Sequence, residues 1–127
     1  MKLEISIGEM VDKLTILQIK SEKIQDTEKL EFINKELNII MSTLGDVYIT
    51  YPQLKDYTTE LQNVNNKLWD IENSIRQKEL LQQFDDEFIT LARSVYHNND
   101  TRAKIKNKIN VYTNSNLREV KQYTEYL

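Results

Sequence analysis

Residues 54–81 read LKDYTTELQNVNNKLWDIENSIRQKELL, and Leu54, Tyr57, Leu61, Val64, Leu68, Ile71 and Ile75 recur there at alternating steps of three and four. This spacing puts the seven side chains on one stripe of a helix; a strand would need alternation at every second residue. The pattern predicts a helix from Leu54 to about Lys78 or Leu81, roughly seven turns of heptad-like packing. Pro52 lies just ahead of it, at an opening turn where a missing N–H costs nothing.

The same periodicity extends in both directions. Upstream, Asp26 is placed to cap a helix whose stripe is Leu30, Ile33, Leu37, Ile40 and Leu44. Gly45 stands where such a helix would stop, leaving residues 46–51 as a loop. Earlier still, Ser6-Ile7-Gly8-Glu9 has the form of a capping box ahead of Ile7, Met10, Val11, Leu14 and Leu17. Ile16 and Ile19 fall on the other side of that first helix, so it needs cover on two faces, from a central position or from a second copy of the chain. Downstream, Asp85 or Asp86 caps a helix carrying Phe88, Leu91, Val95, Ile105, Ile109 and Tyr112. Asn98 and Arg102 interrupt its stripe. Either one helix continues with polar residues in its seam, or it breaks at residues 98–100 and Asp100 caps a new start. Ser115 is a candidate cap for a short tail helix with Leu117, Val120 and Tyr123. The expectation is one all-α domain over residues 1–127, an antiparallel bundle of four main helices.

Composition narrows the chemistry. The 127 residues include no cysteine, one histidine and two well-separated glycines. Disulfides, thiolate metal sites, thiol nucleophiles and glycine-rich phosphate loops are therefore excluded. His97 has no Glu-x-x-His companion, and no metal or cofactor is expected. A net charge of −3 argues against a dedicated nucleic-acid binder. Arg102, Lys104, Lys106 and Lys108 form no single helical stripe, and no aromatic residue alternates with them. The chain shows no membrane span and no signal-peptide core, so the expected location is the cytoplasm.

Three clusters remain as site candidates. Asn65, Trp69, Glu72 and Arg76 form a second stripe beside the apolar seam of the long helix. Such a stripe makes either the polar wall of a cleft, with Trp69 as stacking surface, or a plain boundary with a surface ion pair. Arg102, with Asn98 and Asn99, borders the core side of its helix and requires an acidic partner, for which Glu9, Asp12 and Glu72 are available. It holds an anionic ligand, fixes helix register, or stands in solvent beside a helix break. In the first helix Glu9, Asp12 and Lys13 cluster near Gly8, either as a capped turn with a solvated charged face or as an open turn that would admit a ligand or another chain.

The motifs Ile5-Ser6-Ile7-Gly8-Glu9, Asp12-Lys13, Thr15-Ile16-Leu17, Val64-Asn65 and Leu68-Trp69-Asp70-Ile71-Glu72 follow one another, then Leu91-Ala92-Arg93-Ser94-Val95-Tyr96 and Asn99-Asp100-x-Arg102-Ala103. In this order they resemble a family of small bacterial and phage proteins of unknown function, over nearly the whole chain. The resemblance implies no activity. Members are associated with surface-sugar and glycosyltransferase genes. It adds Arg93, Tyr96 and Asn99 to the ligand-binding candidates. Asn73 and Gln18 stand where the family carries acids, which weakens a metal reading further.

These features leave three functions open. The first is a helical binding or assembly module engaging a protein partner or itself, a homodimer included. The second is a binder or enzyme for a small anionic molecule, with a polar site between helices. The third, nucleic-acid binding, has the least support.

Overall fold

The computed structural model describes residues 1–120, and in them the chain forms four helices: α1 (Ile7–Lys23), α2 (Thr27–Thr50), α3 (Leu54–Leu80) and α4 (Asp86–Tyr112). Three of the four begin at the expected caps. The side chains of Ser6, Asp26 and Asp85 accept hydrogen bonds from the backbone N–H groups of Glu9, Lys29 and Phe88 at 3.0–3.1 Å. Each satisfies a donor that the first helical turn otherwise leaves open.

Two boundary expectations are corrected. Gly45 does not stop α2, which continues to Thr50, so most of the expected loop at residues 46–51 is helical. The extra turns are held by tertiary contacts: Leu44 is 1% exposed, Val47 and Tyr48 pack on the core, and the Tyr48 hydroxyl lies 2.7 Å from that of Thr58 on α3. These contacts outweigh a helix propensity penalty of about 0.5–1 kcal/mol for an interior glycine. Gly45 has no positive φ, and a Cβ built there meets nothing within 4 Å. Gly45→Ala is therefore expected to raise stability by about 0.5–1 kcal/mol, read as a rise of a few degrees in Tm.

The second correction concerns the tail. Residues 113–120 are not helical. Asn114, at φ 51°, turns the chain: its N–H donates to Val111 O, and Ser115 N–H donates to Asn110 O at 2.8 Å. This paired closure of the last free carbonyls ends α4. Ser115 caps α1 instead of a tail helix, accepting a bond from Ile7 N–H at 3.1 Å. Tyr123 lies outside the described residues.

α4 is one continuous helix through residues 98–100. Asn98 fits because its side chain donates to Ser94 O one turn back, at 2.8 Å. The pairs Gly8–Asn110 and Asp12–Arg102 run α1 antiparallel to α4, and Lys13–Glu36 ties α1 to α2. α1 packs against all three other helices. On the second face of α1, Ile19 is 1% exposed and finds its cover inside this chain, while Ile16 stays half-buried.

The core is concentrated at one end. It joins Val11, Leu14 and Leu17 of α1 to Ile40 and Leu44, to Leu54 and Leu61, and to Ile105 and Ile109. No residue between 66 and 104 is buried. That stretch is a two-helix arm, zipped by half-buried Ile71, Ile75, Phe88, Leu91 and Val95. At its far end Lys78 Nζ lies 2.9 Å from Asp85 and 3.0 Å from Glu87. The hydrogen bond from Lys78, aided by that from Phe88 N–H, holds the Asp85 carboxyl below its usual 3.8. A depressed folded-state value stabilises above the unfolded value and loses that effect as the pH falls through the folded one. Asn remains a good cap, so Asp85→Asn should destabilise at about pH 7 and the deficit should close toward about pH 3, read by urea denaturation at both.

Candidate functional site

The first turn of α1 is closed rather than open. Ile7, Gly8 and Glu9 N–H donate to Ser115 Oγ, Asn110 Oδ1 and Ser6 Oγ at 3.1, 2.7 and 3.1 Å. Gly8 does permit a close approach, but by the chain's own α4: an added Cβ would sit 2.5 Å from Lys106 O. Glu9 does not complete a capping box. Its carboxylate pairs with Lys106 Nζ at 2.7 Å, and Glu119 lies 3.3 Å from the same ammonium. Burial opposes the Lys106 charge, but the bond to Glu9 and the carboxylates of Asp12 and Glu119 more than offset this and raise its pKa. Lys13 pairs with Glu36 at 2.6 Å and clips α1 to α2. Glu9 and Lys13 thus hold helices together.

Among Glu9, Asp12 and Glu72, it is Asp12 that receives Arg102. Asp12 is 1% exposed. Its Oδ1 accepts from Arg102 Nε at 2.9 Å, while its Oδ2 accepts from Arg102 Nη2. Asn65 Nδ2 donates to Asp12 Oδ1 at 2.9 Å and to Thr15 Oγ1 at 2.8 Å. The Thr15 hydroxyl donates to Asp12 O at 2.7 Å. A carboxylate removed from water in this way needs such a set of donors, and a bidentate guanidinium supplies direction as well as charge. The bonds to Asp12 raise the Arg102 pKa above its ordinary value. Three helices are locked in register by this network.

Over the network lies a cleft of about 420 Å³ between α1 and α3. Ile16, Ile19 and Lys20 form the α1 wall, and Arg102 closes one end from α4. The opposite wall is the second stripe of α3: Asn65, Trp69, Glu72 and Arg76, with Leu68 and Asn73 beside them. Trp69 is half-buried, and Arg76 Nε lies 3.4 Å from Glu72 Oε2 at the exposed rim. The cleft is therefore lined by apolar side chains, an indole and three cationic groups, Lys20, Arg76 and Arg102, with Glu72 beside Arg76. Its size is in the range of small-molecule sites. Sequence reasoning identified the α3 wall and Arg102 but missed Lys20 and Asn73. Lys20 follows Ile16 by one helical turn, which was the available signal.

Arg93, Tyr96 and Asn99 do not line this cleft. Arg93 Nε donates to the Tyr96 hydroxyl at 3.4 Å on the exposed side of α4, and the Tyr96 ring lies 4.9 Å from that of His97. Asn99 is half-buried. Among the described residues no group of three acidic or histidine side chains is arranged to hold a metal, and no helix is long and apolar enough to cross a membrane.

Residues 1–127 match a family described as a family of unknown function, DUF6165. No curated protein and no solved structure matches the chain.

Proposed function

The chain belongs to the DUF6165 family of unknown function, and we propose that it is a binding module whose α1–α3 cleft takes a small anionic molecule bearing a flat ring. The observation that carries this reading is the convergence of Trp69, Lys20, Arg76 and Arg102 on one open cleft. The indole face suits a ring, and the cations suit a phosphate or carboxylate. Asp12 already fixes the Arg102 guanidinium, so little orientational freedom is lost on binding. Glu72 neutralises Arg76 only at the exposed rim, where an ion pair contributes little and a ligand anion can replace it.

A thermal-shift panel of nucleoside monophosphates, sugar phosphates and aromatic carboxylates tests the proposal. One ring-bearing anion is expected to raise Tm in a dose-dependent way, since saturation to about 100 Kd adds roughly 2.7 kcal/mol of stability. Trp69→Ala and Arg76→Ala, both outside the main core, should keep the fold and weaken that response about tenfold or more. A panel with no response at millimolar concentration, or an equal response in both variants, would overturn it.

A further inference from the structure

The far end of the α3–α4 arm presents large apolar side chains to water: Leu80 is 82% exposed, Leu81 64%, Phe84 57% and Ile89 53%. This is not fraying. Gln82, at φ 54°, turns the chain while its N–H donates to Glu79 O and Gln83 N–H donates to Lys78 O at 2.9 Å. Asp85 caps α4, Lys78 bridges the two helices, and the Phe84 and Phe88 rings meet edge to face at 5.3 Å. The turn is hydrogen-bonded and ion-paired, and its apolar groups still point outward. Leu80, Leu81 and Phe84 fall within five residues of one turn, and grouped apolar exposure of this kind marks interaction sites where single scattered residues do not.

Charge says what fits it. Residues 78–87 hold one lysine and four acids, a net −3 that equals the charge of the whole chain, so the other residues sum to zero. A second copy would bring the same sign against itself, and like charges brought together across an interface oppose association. We infer that this tip is a docking surface for an amphipathic segment of a protein partner carrying apolar and basic side chains. The apolar face seats on Leu80, Leu81 and Phe84, and the basic side chains meet the acids around the turn.

The test uses the full chain and two fluorescein-labelled helical peptides, one built of Leu and Lys and one of Leu and Glu, read by anisotropy. The Leu/Lys peptide should bind, and the Leu/Glu peptide should bind at least about tenfold more weakly. Leu80→Gln/Phe84→Gln and Glu79→Gln/Asp86→Asn should each weaken the Leu/Lys complex about tenfold or more, with helicity by circular dichroism unchanged. Equal binding by wild type and both variants would overturn the proposal. So would no binding, or a wild-type dimer in sedimentation velocity that Leu80→Gln/Phe84→Gln dissolves, which would make the occupant a second copy.

Discussion

Asp12→Ala is expected to lower the unfolding free energy by about 3–5 kcal/mol, the cost of leaving one member of a buried ion pair alone. The Arg102 guanidinium, 27% exposed, loses both of its bonds to Asp12, and the buried Asn65 amide loses one of its two acceptors and keeps Thr15. Arg102→Ala should cost a similar amount, because it leaves a carboxylate that is 1% exposed without its counter-charge. Replacing both partners by apolar residues, as in Asp12→Leu/Arg102→Met, should recover much of the loss, since well-packed apolar pairs often match buried ion pairs. Urea denaturation of the two alanine variants and their double mutant measures the coupling. Strictly additive losses would mean that the network is not the unit described.

Gly8→Ala should cost roughly 2–4 kcal/mol, combining overpacking with a weakened buried hydrogen bond. The new Cβ would lie 2.5 Å from Lys106 O and 2.8 Å from Asn110 Oδ1. The first atom is backbone in mid-helix and cannot swing aside. The second holds Gly8 N–H at 2.7 Å, so moving it opens the bond that seats α1 on α4. The same substitution at Gly45 has the opposite expected sign, because nothing surrounds that position. Equilibrium denaturation of the two variants side by side is decisive: a neutral Gly8→Ala would contradict the close helix approach.

The fold was legible because its signals are local. Alternating steps of three and four mark each stripe, and Ser6, Asp26 and Asp85 announce three helix starts within one turn of the backbone they cap. What misled was also local. Gly45 carries a stop signal that the packing of Leu44 and Tyr48 overrides. At Asn98 the sequence left a break and a continuous helix both open, and a bond to Ser94 O one turn back accompanies the continuous one. The override at Gly45 comes from tertiary packing, including the contact of Tyr48 with Thr58 on α3, which a local pattern does not carry.

For the site, the stripe Asn65, Trp69, Glu72 and Arg76 could be read from helical spacing alone. The choice of Asp12 for Arg102, and of Asn110 and Ser115 for the first turn of α1, joins residues about 90 to 108 positions apart. Such pairings depend on how the helices are laid side by side. They also explain why Glu9 and Lys13, within three residues of Asp12, do not share its environment: one helix turns them toward α4 and α2 while Asp12 faces inward. Arg93 and Tyr96 belong to another surface of α4, and motif proximity gave no sign of that.

The cleft reading meets its most direct test in the fluorescence of Trp69, the only tryptophan in the chain. The wild type and Arg76→Ala are titrated with the ring-bearing anion that raises Tm most. The account predicts a saturable change in Trp69 emission with one site per chain, shifted to about tenfold or higher concentration in Arg76→Ala. A thermal response without any change at Trp69, or the same curve for both proteins, would place the ligand elsewhere and contradict the account.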